Sequence, residues 1–104
     1  AIQYNVNLIM IIADNSMYGT IGMHSYVRYP DKPFMEGTKL TNPDFAAWAR
    51  SFGAEGITIR DETEVAENIE AAFNIDGKPV VVHCHTSALQ MSAWRKYERS
   101  ETLI

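Results

Sequence analysis

The residues with the clearest chemical potential follow an apolar run near the start of the chain. Asp14-Asn15-Ser16 comes directly after Leu8–Ala13, and Gly19 follows shortly afterwards. The Asn15 side chain offers a carbonyl oxygen, a ligand that suits a hard cation such as Mg²⁺. A helix that begins after this turn would direct its N-terminal N–H groups at an anion. The pattern is compatible with a metal-neutralised polyphosphate site, although a plain strand-to-helix turn favours the same residue types.

A second cluster, His83-Cys84-His85, ends another apolar run. On a strand the two histidines would lie on one face and Cys84 on the other, so the three side chains could not ligate one ion without distortion. The chain also has no C-x-x-C pair that would complete a zinc site. We therefore interpret Cys84 as a small apolar residue of the core and assign no metal to this cluster.

The composition excludes several classes of function. The chain has 104 residues and a formal net charge of −4, which argues against nucleic-acid binding because that function needs a basic face. The sequence contains no P-loop, no G-x-G-x-x-G and no G-x-S-x-G motif. No segment approaches the ~20 apolar residues of a membrane span. The single cysteine indicates a reducing compartment, and we predict a cytoplasmic location.

The apolar runs predict strands of a mostly parallel α/β sheet with flanking helices in a single domain, residues 1–104. Leu8–Ala13 and Val80–Cys84 are continuous runs, which is typical of strands buried on both faces. Residues 55–60 alternate between apolar and polar types, which is typical of an edge strand. These strands alternate with helical patterns, an order that favours parallel pairing through right-handed crossovers.

Helix signals occur between the predicted strands and after the last one. We predict helices over residues 17–28, from Asn42 as N-cap, and after a capping box at Asp61–Glu64. Residues 29–40 contain two prolines and a glycine without a clear period, and we predict a long loop there. Residues 88–104 are predicted to form a C-terminal helical tail.

Three segments together resemble a known family. Leu8–Ile21 resembles the end of the thiamine-diphosphate-binding motif, which opens with Gly-Asp-Gly and closes with Asn-Asn after an apolar strand. Asn42–Ala54 resembles the following helix of acetolactate-synthase-like and 2-oxo acid decarboxylase-like enzymes, and Gly77–Val82 resembles their last sheet strand. The family places that last strand in the middle of the sheet. We therefore predict the order 8–13, 79–84, 55–60, all parallel.

The resemblance implies a role for each residue of the loop. The Asn15 side chain and the backbone carbonyl of Met17 would bind Mg²⁺, and the metal would bridge the diphosphate of the cofactor. Three residues would lie against the cofactor and two would face the substrate: Tyr18, Gly19 and Thr20, then Ile21 and His24. The chain itself would contain no catalytic residue.

The family activity would be a reaction on a 2-oxo acid, either decarboxylation or carboligation, with thiamine diphosphate and Mg²⁺. Two departures from the family pattern are visible. Asp14 stands where the family has its first Asn, and His24 stands where biosynthetic acetolactate synthases usually have Trp.

The Gly-Asp-Gly half of the motif does not occur in the sequence. The family's catalytic Glu lies on a separate pyrimidine-binding domain. We therefore expect a fragment of the cofactor-binding domain that forms homo-oligomers, binds thiamine diphosphate weakly or not at all, and is inactive alone. Two alternatives stay open: a standalone non-catalytic interaction or assembly module, and an unrelated small flavodoxin-like ligand-binding domain.

Overall fold

The computed structural model describes residues 1–33, 35–92 and 95–96. In chain order the elements are a 3₁₀ turn (Ile2–Tyr4), β1 (Ile9–Asp14), α1 (Gly19–Arg28), α2 (Phe45–Ser51), β2 (Glu55–Ile59), a second 3₁₀ turn (Glu62–Glu64), α3 (Val65–Phe73), β3 (Val80–His85), β4 (Gln90–Ser92) and β5 (Arg95–Lys96). In the described part of the chain, every helix is too short or too polar to cross a lipid bilayer.

These elements belong to two compact units. The sheet unit comprises residues 1–14 and 42–86, and the loop unit comprises residues 15–41 with the described residues from 87 onward. The sequence predicts that residues 1–104 form a single domain, and this stays a prediction.

The sheet unit contains a three-stranded, wholly parallel sheet in the order β1-β3-β2. Ile9 and Glu55 both pair in register with Val80, so β3 lies between its two neighbours along its length. This order confirms the prediction from the apolar runs and the family resemblance. The buried core consists of Ile59, Ala72, Val80 and Val82, all no more than 2% exposed.

The prediction that β1 is buried on both faces is wrong. Met10 is 48% exposed and Ile11 is 58% exposed, although both lie in the continuous apolar run. The reason is the position of β1 at one edge of the sheet, where among the described residues it pairs only with β3. The apolar run therefore predicts the strand correctly, but it does not predict how far the strand is buried.

The N-cap of α2 lies two residues later than predicted. Asp44, not Asn42, is the N-cap, and its Oδ1 accepts a hydrogen bond of 2.9 Å from the Ala47 N–H. Asn42 instead donates to a carboxylate in the sheet unit, as described below. The predicted capping box at Asp61 and Glu64 is confirmed, because each side chain accepts a backbone N–H of the other end of the turn.

In the loop unit, α1 begins at Gly19 because the preceding residues are hydrogen-bonded to a distant part of the chain. The Tyr18 N–H donates to the Thr38 carbonyl at 2.7 Å, and the Leu40 N–H donates to the Ser16 carbonyl at 2.8 Å. These two bonds hold Ser16–Tyr18 against residues 38–40, which explains why the predicted helix over 17–28 loses its first two residues.

The predicted helical tail over residues 88–104 is wrong wherever the structure describes it. Gln90–Ser92 and Arg95–Lys96 form a short antiparallel hairpin, β4 and β5. Residues 93, 94 and 97–104 lie outside the described residues. A threefold spacing of large side chains suggested the helix, but Thr86 to Leu89 form an irregular turn before the hairpin.

Candidate functional site

Two groups of polar residues stand out, one in each unit. In the loop unit, Asn15 and Met17 form a tight turn in which Asn15 Oδ1 accepts a 3.2 Å hydrogen bond from the Met17 N–H. Ser16, between them, has a φ of 54°, which is left-handed backbone. This turn fixes the Asn15 side chain in front of the helix that begins at Gly19.

Gly19 allows the Asn15 side chain to approach the start of α1 closely. A Cβ at position 19 would lie 2.9 Å from Asn15 Nδ2, which is closer than real side chains approach each other. The contact is with the end of a side chain, so any larger residue here would displace the Asn15 amide. The glycine therefore serves to position Asn15.

A cavity of about 310 Å³ opens at this turn in the loop unit. It is lined by seven residues: Asn15, Met17, Gly19, Thr20, Met23, Ala88 and Gln90. Four of these are residues that the sequence assigned to the cofactor. Ala88 and Gln90 were missed because the sequence pattern predicted a helix in place of the turn and hairpin that bring them to the cavity.

The other predicted residues of this loop do not line that cavity. Tyr18 is 53% exposed and Ile21 is 60% exposed. His24 lines a separate opening of about 410 Å³ with Val27 and Arg28. The structure thus brings together the residues predicted for the metal and diphosphate, and leaves Tyr18, Ile21 and His24 on exposed parts of α1 and its start.

The second polar group lies in the sheet unit and is built on a buried carboxylate. Asp14, which is 6% exposed, ends β1, and His83, which is 2% exposed, lies on β3. Asp14 Oδ2 and His83 Nε2 are 2.8 Å apart, and Asp14 Oδ1 accepts a 2.8 Å hydrogen bond from Asn42 Nδ2. Phe45 of α2 packs against the His83 ring with an edge contact at 5.1 Å.

His85 joins this group from the same face of β3. Its ring centroid lies 4.2 Å from that of His83, while Cys84 packs against the apolar core, as the alternation of a strand predicts. Burial lowers the pKa of His85, and the nearby His83 and Arg60 lower it further. The imidazole of His85 is therefore held toward its neutral form.

Two nitrogens of this histidine pair are left without partners. His83 Nδ1 and His85 Nε2 are both buried and have no hydrogen-bond partner among the described residues. The nearest carboxylate oxygen to His83 Nδ1 is that of Asp44 at 4.0 Å, which is too long for a hydrogen bond. The sequence singled out Asp14 and the two histidines separately and did not predict that they meet, although the parallel register places the ends of β1 and β3 side by side.

Comparison with known proteins decides the family. A family model for thiamine pyrophosphate enzymes, C-terminal TPP binding domain, matches residues 1–84. The chain belongs to this family. Thiamine pyrophosphate is another name for thiamine diphosphate, so the resemblance stated above is confirmed at this level. The alternative of an unrelated flavodoxin-like domain is therefore wrong.

A curated relative is named for the same cofactor. The protein named "Putative thiamine pyrophosphate-containing protein YdaP", from Bacillus subtilis (strain 168), is 34% identical over 82 residues. This match covers 79% of the chain and 14% of the relative. The chain thus spans about one seventh of the length of that TPP-containing protein.

The loop-unit turn fits the metal-diphosphate end of this cofactor in its chemistry. The Asn15 amide and the Thr20 hydroxyl each offer an oxygen as a possible metal ligand, and hard Mg²⁺ favours oxygen ligands. An amide oxygen has two lone pairs, so Asn15 Oδ1 can accept from the Met17 N–H and still face a cation. The ten-residue helix α1 begins at the same turn and directs its positive end toward it.

Proposed function

We propose that the loop-unit turn holds the magnesium-diphosphate end of thiamine diphosphate in an enzyme that acts on a 2-oxo acid. The single observation that carries this proposal is the cavity that brings Asn15, Met17, Gly19 and Thr20 together. Membership of the TPP-binding family supports the cofactor. The magnesium, the 2-oxo acid and the choice between decarboxylation and carboligation are part of the proposal.

The chain's own contribution in this proposal is to bind and orient. Asn15 Oδ1 and the Met17 backbone carbonyl bind Mg²⁺, and the first N–H groups of α1 face the phosphates. Gly19 keeps the Asn15 amide in position. When bound, the cofactor supplies an electron sink for the carbanion that forms when the 2-oxo acid loses carbon dioxide.

The roles of Tyr18, Ile21 and His24 are proposed with the same family pattern. Tyr18 would lie against the cofactor, and its 53% exposure leaves the ring accessible. Ile21 and His24 would face the substrate, with Ile21 exposed on α1 and His24 beside a separate opening. We further propose a cytoplasmic location, which the single cysteine supports.

A non-catalytic assembly module is the second candidate. The exposed apolar side chains of Met10 and Ile11 at the sheet edge favour it, because such an edge is suited to pairing with another chain. Binding of the cofactor separates the two candidates, since an assembly module has no need of it.

The cofactor proposal is tested by following backbone amide NMR signals during titration with thiamine diphosphate, with and without Mg²⁺. NMR detects millimolar binding, and we expect weak binding by the chain alone, without turnover of pyruvate. The expected result is a magnesium-dependent shift of the signals of residues 15–20. Asn15→Ala should abolish it.

Asn74 provides the matched control, because it is an exposed asparagine at the end of α3 in the sheet unit. Asn74→Ala should leave the shifts unchanged. Shifts that do not depend on Mg²⁺, or that survive Asn15→Ala, would contradict the assignment of Asn15. An absence of shifts at millimolar cofactor would contradict cofactor binding by the loop-unit turn of the chain alone.

A further inference from the structure

The buried polar group of the sheet unit has the composition of a transition-metal site. Asp14, His83 and His85 each offer one ligand atom, and these three atoms lie within 4.8 Å of one another. The parallel register explains the convergence, because Asp14 pairs with His85 and Ile12 pairs with His83 across β1 and β3. Paired residues of neighbouring strands present their side chains on the same face of a sheet.

A structural role accounts for only part of this group. The contact between Asp14 and His83 is a good buried hydrogen bond, and Asn42 Nδ2 also donates to the carboxylate. This arrangement leaves His85 Nε2 buried without a hydrogen-bond partner among the described residues, and buried polar atoms of native proteins are rarely left so. The hydrogen bond between Asp14 and His83 forms without His85, so a structural role for this bond does not explain His85.

We propose that Asp14, His83 and His85 bind a divalent transition-metal ion, with zinc as the representative ion. Imidazole nitrogen suits zinc and its neighbours, and a carboxylate oxygen is a common third ligand. This donor set differs from the oxygen-only donors of the loop-unit turn, which suit Mg²⁺. Three protein ligands leave a coordination position for solvent.

The geometry requires small adjustments. Ligand atoms around tetrahedral zinc lie about 3.3 Å apart, given metal–ligand distances near 2.0 Å. The 2.8 Å separation of Asp14 Oδ2 and His83 Nε2 is close to that value, and rotation of side chains can shorten the longest separation. Asn42 is the positioning residue, because its hydrogen bond to Oδ1 leaves Asp14 Oδ2 directed at the histidines.

The test is calorimetric titration of the full chain with ZnCl₂, without chelating buffer, alongside visible absorption of the Co²⁺-loaded protein. We expect one bound zinc per chain. Asn42→Ala should weaken zinc binding about 10-fold, as expected for loss of a ligand-orienting residue, and His85→Gln, which removes a ligand, should weaken it more, by at least about 100-fold. Excess Mg²⁺ should not displace the zinc, because Mg²⁺ does not favour imidazole.

The chain provides its own control, since it contains three histidines and only His24 lies outside the sheet unit. His24→Gln should bind zinc as the unmodified protein does, and Cys84→Ser should also leave binding unchanged. Equal affinity in His85→Gln and His24→Gln would overturn the proposal, and so would a Co²⁺ spectrum with thiolate bands that Cys84→Ser removes. If His85→Gln fails to fold, the Co²⁺ spectrum and Asn42→Ala still decide: an absent d–d band or unchanged affinity would overturn the site.

Discussion

The two units are built from different kinds of packing. The core of the sheet unit consists of Ile59, Ala72, Val80 and Val82, with partly buried isoleucines around it. The core of the loop unit consists of Met17 and Met35, each 9% exposed, with Met23 and Tyr26 packed against them. β-branched side chains have few rotamers and fit one arrangement, whereas methionine is flexible and fills irregular gaps.

The sheet unit therefore has a core that fits one arrangement of side chains, and the loop unit has a core that can repack. Met17 and Met23 also line the loop-unit cavity, so the side chains that form its core also shape the proposed cofactor site. A site that must close on a ligand benefits from side chains that can repack. We therefore expect substitutions in the sheet unit to cost more stability than those of similar size in the loop unit.

The largest loss of stability should follow a side chain at Gly56. A Cβ there would lie 2.2 Å from the Ala46 carbonyl oxygen, so β2 and the backbone of α2 would have to separate. Gly56→Val should lower the free energy of unfolding by about 4 kcal/mol, above the usual overpacking cost of about 1–3 kcal/mol, because the clash is with backbone. Urea denaturation measures it.

Gly53 supplies the control for this change. It has a φ of 87° with open space around its Cβ position, and asparagine tolerates left-handed backbone. Gly53→Asn should cost far less than Gly56→Val. Similar losses for the two variants would mean that the approach of α2 to β2 is not what constrains the sheet unit.

Large-to-small substitutions compare the two cores directly. Ile59→Ala removes a side chain that is 2% exposed and should lower the free energy of unfolding by about 3 kcal/mol. Met35→Ala should cost about 2 kcal/mol, because flexible neighbours can partly fill the space. Paired urea curves test the comparison, and an equal or larger cost at Met35 would contradict it.

The sheet unit was also the easier one to predict, for a physical reason. Apolar runs located its strands, the family resemblance placed β3 in the middle of the sheet, and a local sequence pattern identified the Asp61–Glu64 capping box. The loop unit depends on contacts between distant segments, such as the Tyr18 N–H with the Thr38 carbonyl, which leave no periodic pattern.

The candidate sites divide in the same way. Asn15 and its neighbours follow each other in the sequence, so a motif could identify them. Asp14 and His83 meet only through strand register, 69 residues apart, and a sequence without strand pairing does not bring them together.

Exposed apolar residues provide a third test of the comparison. Ile11 on the edge strand β1 is 58% exposed, and Val27 on α1 is 50% exposed. We propose that copies of the chain associate through the β1 edge, since burying ~400 Å² of apolar surface contributes about 10 kcal/mol before association costs. Light scattering at micromolar concentration should detect a dimer or larger species.

Ile11→Lys should shift this equilibrium to monomer, because a lysine on an edge strand opposes pairing. Val27→Lys adds the same charge in the loop unit and should leave association unchanged. A monomer before substitution, or dissociation by Val27→Lys alone, would contradict association through the sheet unit.

The smallest effect concerns side-chain caps, which the described helices use only in the sheet unit. Asp61 Oδ1 accepts from the Thr63 N–H at 2.9 Å and from the Thr63 hydroxyl at 2.7 Å, whereas Tyr18 makes no side-chain cap bond for α1. The Thr63 backbone bond, aided by its hydroxyl, holds the pKa of Asp61 below 3.8. The pKa of Asp61 is lower in the folded state than in the unfolded state. The contribution of the cap to stability is therefore fully present above pH 3.8 and is lost as the pH falls through the folded-state pKa.

An NMR titration of the Asp61 carboxyl should therefore give a midpoint below 3.8. Asp61→Asn keeps a capping oxygen but cannot titrate, so its melting temperature should fall less steeply below pH 4 than that of the unmodified protein. Because the group is exposed, the difference should be a small one. An identical acid profile for Asp61→Asn would show that this cap does not couple proton binding to the stability of the sheet unit.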